Sequence, residues 1–267
     1  MRAIVNHIGF EFKSVIRDKT LLLMNYLFPL AFYFMMAAIM PTIDPEFSKS
    51  MIPTMIVFAV TVSTLLGMPN PIVGSKEKGI YRSYKIYGVP LKSVLFIPVF
   101  TTAIHITIVS IIIYMTGARI FDGLKPDNIL WFCGIYILAL FALTGLGLLI
   151  GVCSPNSRIT VLLGQLIFLP SMLIGGVMMP AEVLPETIQK ISRVLPTSHL
   201  MSLFRVKTMG QEASFSSIGS IIALLIGGLL SYTLAAYLFT WDPKENKRKK
   251  NILGLMALLP YVISIFI

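Results

Sequence analysis

The 267-residue sequence is short of charge: Asp, Glu, Lys and Arg together make up 13% of it, against about a quarter in soluble domains. Seven stretches, 20–43, 50–75, 93–118, 128–157, 159–181, 213–241 and 251–267, hold none of the four. A transmembrane helix needs about 20 apolar residues to cross a hydrocarbon core of about 30 Å, so six runs are long enough and the last is marginal. With 56% hydrophobic residues and a mean hydropathy of +0.83, the chain reads as an all-α polytopic membrane protein. A membrane β-barrel would show alternating segments of about ten residues in place of continuous apolar blocks. Cysteine is nearly absent as well. Cys133 and Cys153 are too few for a disulfide framework and lack metal-ligand spacing, so both read as small apolar fillers and no metal site is expected. Glu11 and Asp18 sit in the amino-terminal segment and no small-residue cleavage pattern follows the first run, so that run is expected to stay in the protein.

The same shortage constrains function. Ion-coupled carriers usually hold ionisable residues at membrane depth, yet the six long runs offer only His105 as a titratable imidazole. Intramembrane hydrolysis needs a nucleophile and a base, or a metal cluster. Thr101, Thr102 and Ser110 lie near His105 in sequence, but no carboxylate is available to orient the ring, and no catalytic residue is assigned. The plain role for His105 is a hydrogen bond to a neighbouring helix. Asn25 and Gln165 face the same choice between interhelical contacts and a polar translocation path. Gly145, Gly147, Gly151 and the pair Gly227-Gly228 read as sites of close helix packing. The stretch Gly74-Ser75-Lys76-Glu77-Lys78-Gly79 is glycine-bracketed like a phosphate loop, but Ile80 and Tyr81 stand where Lys and Ser/Thr would have to bind phosphate and magnesium. ATP therefore acts, if at all, through a partner.

The charge that is present is sorted. With the amino terminus cytoplasmic and six spans crossing, the excess of +10 falls wholly on the inner segments 1–19, 76–92, Arg158 and 242–250, as the positive-inside bias requires. The basic charge carries topology, attracts anionic membrane lipid, and gives no reason to expect nucleic acid.

Along the chain, residues 1–19 alternate apolar Ile4, Ile8, Phe12, Val15 and Ile16 with polar Arg2, Asn6, Lys13 and Arg17 at helical period, which predicts an interfacial helix. Spans are expected near 20–40, 51–72, 94–116, 128–152, 159–179 and 218–240, the second ending at Pro69 and Pro71. The loop 75–90 is basic but carries Tyr81, Tyr84 and Tyr87 at three-residue spacing beside Ile80, so a short helix here would show an aromatic face. Segment 180–216 places Pro180, Pro185 and Pro196 at helix-start positions ahead of apolar residues at helical spacing, which predicts two short outer half-helices forming a re-entrant gate. The apolar tail within 246–267, with Pro260 in its middle, is either a short seventh span or a re-entrant or laterally packed segment.

The opening amphipathic helix, the six spans, the Glu77-x-Gly79 loop closed by Pro90, and the stretch from Gly175-Gly176 through Met179-Pro180, Leu184-Pro185, Ile191 and Leu195-Pro196-Thr197 to Arg205 resemble the membrane subunit of ABC transporters of the ABC-2 type, mainly bacterial export permeases. The resemblance covers residues 1–245. It implies a half-transporter in the cell membrane: two membrane subunits, identical or paired with a sister, over two separately encoded ATPase subunits that hold ATP and Mg²⁺. It also implies that the loop of Glu77, Gly79, Ile80, Tyr81, Tyr84 and Tyr87 is the coupling helix docking on the ATPase, with the opening helix as a second contact. An uncharged interior favours an amphipathic or hydrophobic cargo, such as a peptide, drug or lipid-like molecule. The rival reading is an ATP-independent channel or intramembrane enzyme centred on His105.

Overall fold

The computed structural model describes residues 2–179, 183–210, 216–242 and 252–266, and among these every regular element is helical. In chain order they are α1 (Arg2–Arg17), α2 (Lys19–Ile43), α3 (Phe47–Glu77), α4 (Ile80–Ile86), α5 (Leu91–Ile120), α6 (Ile129–Cys153), α7 (Ser157–Leu173), α8 (Glu186–Ser192), α9 (Pro196–Thr208), α10 (Ser217–Leu238) and the tail helix α11 (Ile252–Ile263). Among the described residues, α2, α3, α5, α6 and α10 are long and apolar enough to cross a membrane, while α7 is apolar but shorter.

Helix α3 is the hub. Every residue from Met51 to Leu65 is buried, which suits a helix that is apolar all round. Helix α2 lies at the periphery, with Leu27, Phe34, Met35 and Ile39 exposed. Its start is fixed by Asp18, whose carboxylate accepts from the amides of Thr20 at 2.8 Å and Leu21 at 3.1 Å, the expected cap for otherwise orphaned donors.

Two spans depart from the sequence expectation, each for a local reason. The helix expected to stop at Pro69 and Pro71 continues to Glu77. A π turn at Ser63–Gly67 precedes Pro69 and shifts the hydrogen-bond register, so that Met68 N bonds Ser63 O. A proline placed just after that shift forfeits little, because its missing N–H falls where the regular ladder is already interrupted. The carbonyls of Thr64 and Leu65 press instead on α6 and α7, where a Cβ on Gly147 would lie 2.1 Å from Thr64 O and one on Gly164 2.4 Å from Leu65 O. Only glycine fits at either place.

The span expected over 159–179 is helical only to Leu173. Gly175 backs onto the start of α9, a Cβ there lying 2.3 Å from Thr197 Oγ1, and Gly176 adopts a left-handed φ of 83°, so the chain folds back sharply at the two glycines. Pro185 caps α8 and Pro196 opens α9 at N1; Pro180 lies outside the described residues. Helix α9 is buried from Pro196 through Arg205, inside the bundle rather than over it.

The tail lies along α10 over the height of the bundle. At one end Gly254 sits against Cys153 and Leu149 of α6, in the middle Tyr261 meets Gly227 of α10, and at the other end Ser264 reaches His199 of α9. A seven-residue 3₁₀ run, Ile252–Leu258, lengthens its reach, at about 2.0 Å per residue against about 1.5 Å in an α-helix.

Candidate functional site

Two sets of residues carry chemistry. The first is the elbow between α3 and α4 at the basic end of the bundle, where Lys76, Lys78, Arg82 and Lys85 gather. Gly79 makes the turn with φ 71° and caps α4; open space surrounds it, so its backbone conformation is what calls for glycine. Two consecutive residues pin this elbow to the turn between α6 and α7. Lys76 Nζ donates to Val152 O at the C-terminal end of α6, at 3.4 Å. Glu77 accepts from Ser157 Oγ at 2.8 Å and Ser157 N at 3.3 Å, at the first turn of α7. Each charge therefore sits at the helix end whose dipole it complements, cation on a C-terminus and anion on an N-terminus.

The three tyrosines of the elbow do not share one face. Tyr81 is buried, with 5% exposure, its ring 5.2 Å from that of Phe239 beyond α10. Burial, with Glu11 of α1 nearby, pushes its phenol pKa upwards, and Tyr84, half-buried beside it, is raised for the same reasons. Tyr87 is 83% exposed and Ile86 74%, with Ile80, Arg82 and Lys85 exposed around them. The expected aromatic face is thus divided: Tyr81 is an internal anchor, and Ile86 with Tyr87 forms the apolar tip. Sequence spacing named Tyr81 and Tyr87 together because Phe239, which sorts them, is far away in sequence.

The second set lies inside the bundle. The Tyr26 hydroxyl bonds His105 Nδ1 at 2.5 Å, and Phe12 of α1 stacks on the imidazole with centroids 4.3 Å apart. Asn25, 2% exposed, sits in a π turn, Leu23–Leu27, facing the π turn of α3; a Cβ on Gly67 would lie 2.8 Å from Asn25 Oδ1. Asn25 and Thr101, Thr102 line one small cavity beneath α1. The structure therefore brings Asn25 and His105 into one region and leaves Gln165 elsewhere, exposed on α7 between Leu162, Leu166 and Leu169. His105 is held by a phenol and a phenyl ring, with no carboxylate and no serine or threonine hydroxyl among its described hydrogen bonds. Among the described residues no group of His, Cys, Asp and Glu could hold a metal.

Sequence reasoning missed His199. Its Nε2 donates to Arg193 O at 2.8 Å, while Nδ1 pairs with Ser220 Oγ at 3.0 Å, and Ser264 Oγ lies 3.1 Å from Nε2. One imidazole thus joins the end of α8, α10 and the tail. The available signal was Thr197-Ser198-His199, a polar run opening a helix that continues with Leu200, Met201, Leu203 and Phe204.

These elements define a multi-pass helical membrane protein, with a polar interior cluster and one pinned basic elbow as its chemical features. The model of the family "ABC-2 type transporter" matches residues 7–208, and the chain belongs to that family. It is 26% identical over 223 residues to the Putative transport permease YvfS of Bacillus subtilis (strain 168), a match covering 81% of this chain and 89% of that protein. It is also 26% identical over 113 residues to Nodulation protein J of Rhizobium leguminosarum bv. viciae, covering 40% of this chain and 41% of that protein.

Proposed function

We propose that this chain is the membrane-spanning half of an ATP-driven exporter, working as a pair of permease subunits, most simply two copies, with separate ATPase subunits docked at the α3–α4 elbow. The observation that carries the reading is the double pin of Lys76 on α6 and Glu77 on α7. A force applied to the elbow is delivered to three membrane helices at once, which is what a coupling element has to do. The exposed tip, Ile86 and Tyr87 flanked by Arg82 and Lys85, supplies an apolar anchor with a cationic rim, a combination that suits a protein cleft. In this reading the elbow faces the cytoplasm, as the sorting of basic residues favours, and so does the amino terminus. Closure of the ATPases around ATP and Mg²⁺ shifts the spans between two states.

Gln165 supports the pairing of subunits. A carboxamide at membrane depth needs a partner, and this one is exposed on an apolar face of α7, where a second permease subunit would cover it. The polar cluster of Asn25, Tyr26 and His105 is assigned to the path, and its few neutral groups in an apolar bundle favour an amphipathic or hydrophobic cargo. Ile86→Asp combined with Tyr87→Ala is expected to leave the subunit inserted and folded while abolishing co-purification with its ATPase and ATP-dependent cargo movement in proteoliposomes. Retention of the ATPase by that variant would overturn the docking assignment.

A further inference from the structure

Helix α1 covers the polar cluster without being buried in the core. Of its described side chains, Glu11 to Arg17, only Val15 is buried, and one extended residue, Asp18 with φ −82° and ψ 113°, links it to α2. Beneath α1 lies a small cavity of about 60 Å³, with Glu11, Ser14 and Val15 on one side and Asn25, Thr101 and Thr102 among its other walls. One turn further along α5, and so on the same face as Thr101 and Thr102, is the imidazole of His105, 0% exposed. Phe12 of α1 lies over one face of that ring, with 4.3 Å between centroids and 15° between planes, while the Tyr26 hydroxyl on Nδ1 holds its edge.

Two observations say what this place would take. The face of His105, fixed at its edge by Tyr26, already holds a flat aromatic ring, and that ring is carried by a surface helix on a single link. Asn25, 2% exposed, lines the adjoining cavity, and its Oδ1 is buried without a hydrogen-bond partner, an acceptor that is costly to leave unmade. By itself the cavity is far smaller than small-molecule sites. With Phe12 withdrawn it gains the room of one phenyl ring, enough for a single flat ring with a donor beside it. Resting on the assignment of Asn25, Tyr26 and His105 to the path, we infer that the slot over His105 binds an aromatic ring of the cargo, whose adjacent N–H or O–H donates to Asn25. Phe12 occupies that slot as an internal stand-in until cargo displaces α1. A saturated ring gains the apolar space but not the stack. Glu11, the neighbour of Phe12 in the chain, lies close to Tyr81 and Tyr84 of the elbow, so a movement of the elbow that shifts α1 also shifts the stand-in.

The test uses the full chain in lipid nanodiscs and two neutral probes, N-octanoyl-phenylalaninamide and its cyclohexylalanine analogue, with saturable binding counted against empty discs. The phenyl probe is expected to bind the unmodified chain about fivefold more tightly than the cyclohexyl probe, the scale of one aromatic pair. Phe12→Ala removes the competitor and should tighten both probes about fivefold while keeping their ratio. A damaged chain does not bind more tightly, so this gain separates a stand-in from ordinary packing. Should Phe12→Ala not fold, Phe12→Leu keeps an apolar side chain without the ring and carries the same expectation. His105→Leu should bring the ratio of the two probes to one, and His105→Phe should restore the preference. Equal binding of both probes by the unmodified chain, or no tightening in either Phe12 variant, overturns the inference. Selective binding without ATP-dependent movement of the phenyl probe in proteoliposomes would keep the slot and overturn its place on the path. Movement without selectivity would keep the path and overturn the slot. Ile86→Asp with Tyr87→Ala should bind both probes as the unmodified chain does, which keeps this result separate from the elbow assignment.

Discussion

The two ends of the bundle are held by opposite means. At the basic end Lys76 and Glu77 pin the elbow through charge on helix termini, contacts that sit at the surface and leave Ile86 and Tyr87 uncovered. At the far end the neutral network of His199 joins α8, α9, α10 and the tail from within. Surface ion–dipole contacts are individually weak and tolerate water, so an element held by them can move without unmaking the core. Buried hydrogen bonds are costly to leave unmade, so elements joined by them move together or not at all. In the proposed reading, the basic end transmits displacement and the far end resists it.

The sharpest way to break this comparison is to remove a buried anchor from the basic end. Tyr81 belongs to the elbow by sequence but to the core by packing, against Phe239 and Tyr84. Tyr81→Ala is expected to cost about 3–5 kcal/mol, as truncation of buried aromatics does, seen as a large fall in the thermal midpoint of the detergent-solubilised chain. Tyr87→Ala, at an exposed site, should leave that midpoint unchanged. Equal effects would mean that the elbow is not divided into anchor and tip.

Next in size is the far end. His199→Leu keeps much of the volume but strips Ser220 Oγ of its imidazole partner and leaves Arg193 O only the longer bond from Ser264 Oγ, and a buried polar group left unpaired costs about 1–3 kcal/mol. The loss should be selective: proteolysis or hydrogen exchange should report the tail loosening from α10 ahead of the rest. A uniform fall in protection across α3 and α6 would show that His199 supports the whole core rather than one junction.

How much of this could be read from residues alone depended on where the deciding partner lay. The long spans were legible because absence of charge over about 20 residues is a local property, whereas tyrosine spacing after Gly79 said only which face a short helix there would carry. The π turns were not, since Asn25 and Gly67, which meet where the two turns face each other, lie on different helices. The continuation of α3 through Pro69 depended on that same register shift. The candidate path residues were half-legible: polarity singled out Asn25, His105 and Gln165, but only packing separates the first two, which meet near Tyr26, from the third, which faces outwards. The tail was legible as apolar and marginal in length, while its course along α10 rests on Tyr261 fitting over Gly227.

The smallest effect tests the transmission argument most directly. Glu77→Gln keeps an acceptor for Ser157 Oγ but removes the charge at the start of α7, and at an exposed site this should cost only about 0.3–1 kcal/mol of stability, shrinking as salt is added. Its effect on transport is expected to be larger than its effect on folding. ATPase subunits should still bind, because Ile86 and Tyr87 are untouched, yet displacement of the elbow would reach α7 less faithfully and ATP hydrolysis would be less tightly coupled to cargo movement. The measurement is cargo moved per ATP hydrolysed in proteoliposomes, compared between Glu77→Gln, Ser157→Ala and the double variant. If Glu77 and Ser157 act as one joint, the double variant should be no worse than either single change. Additive losses, or a ratio equal to that of the unmodified protein, would place the transmission elsewhere and leave the contact with α7 as a simple helix cap.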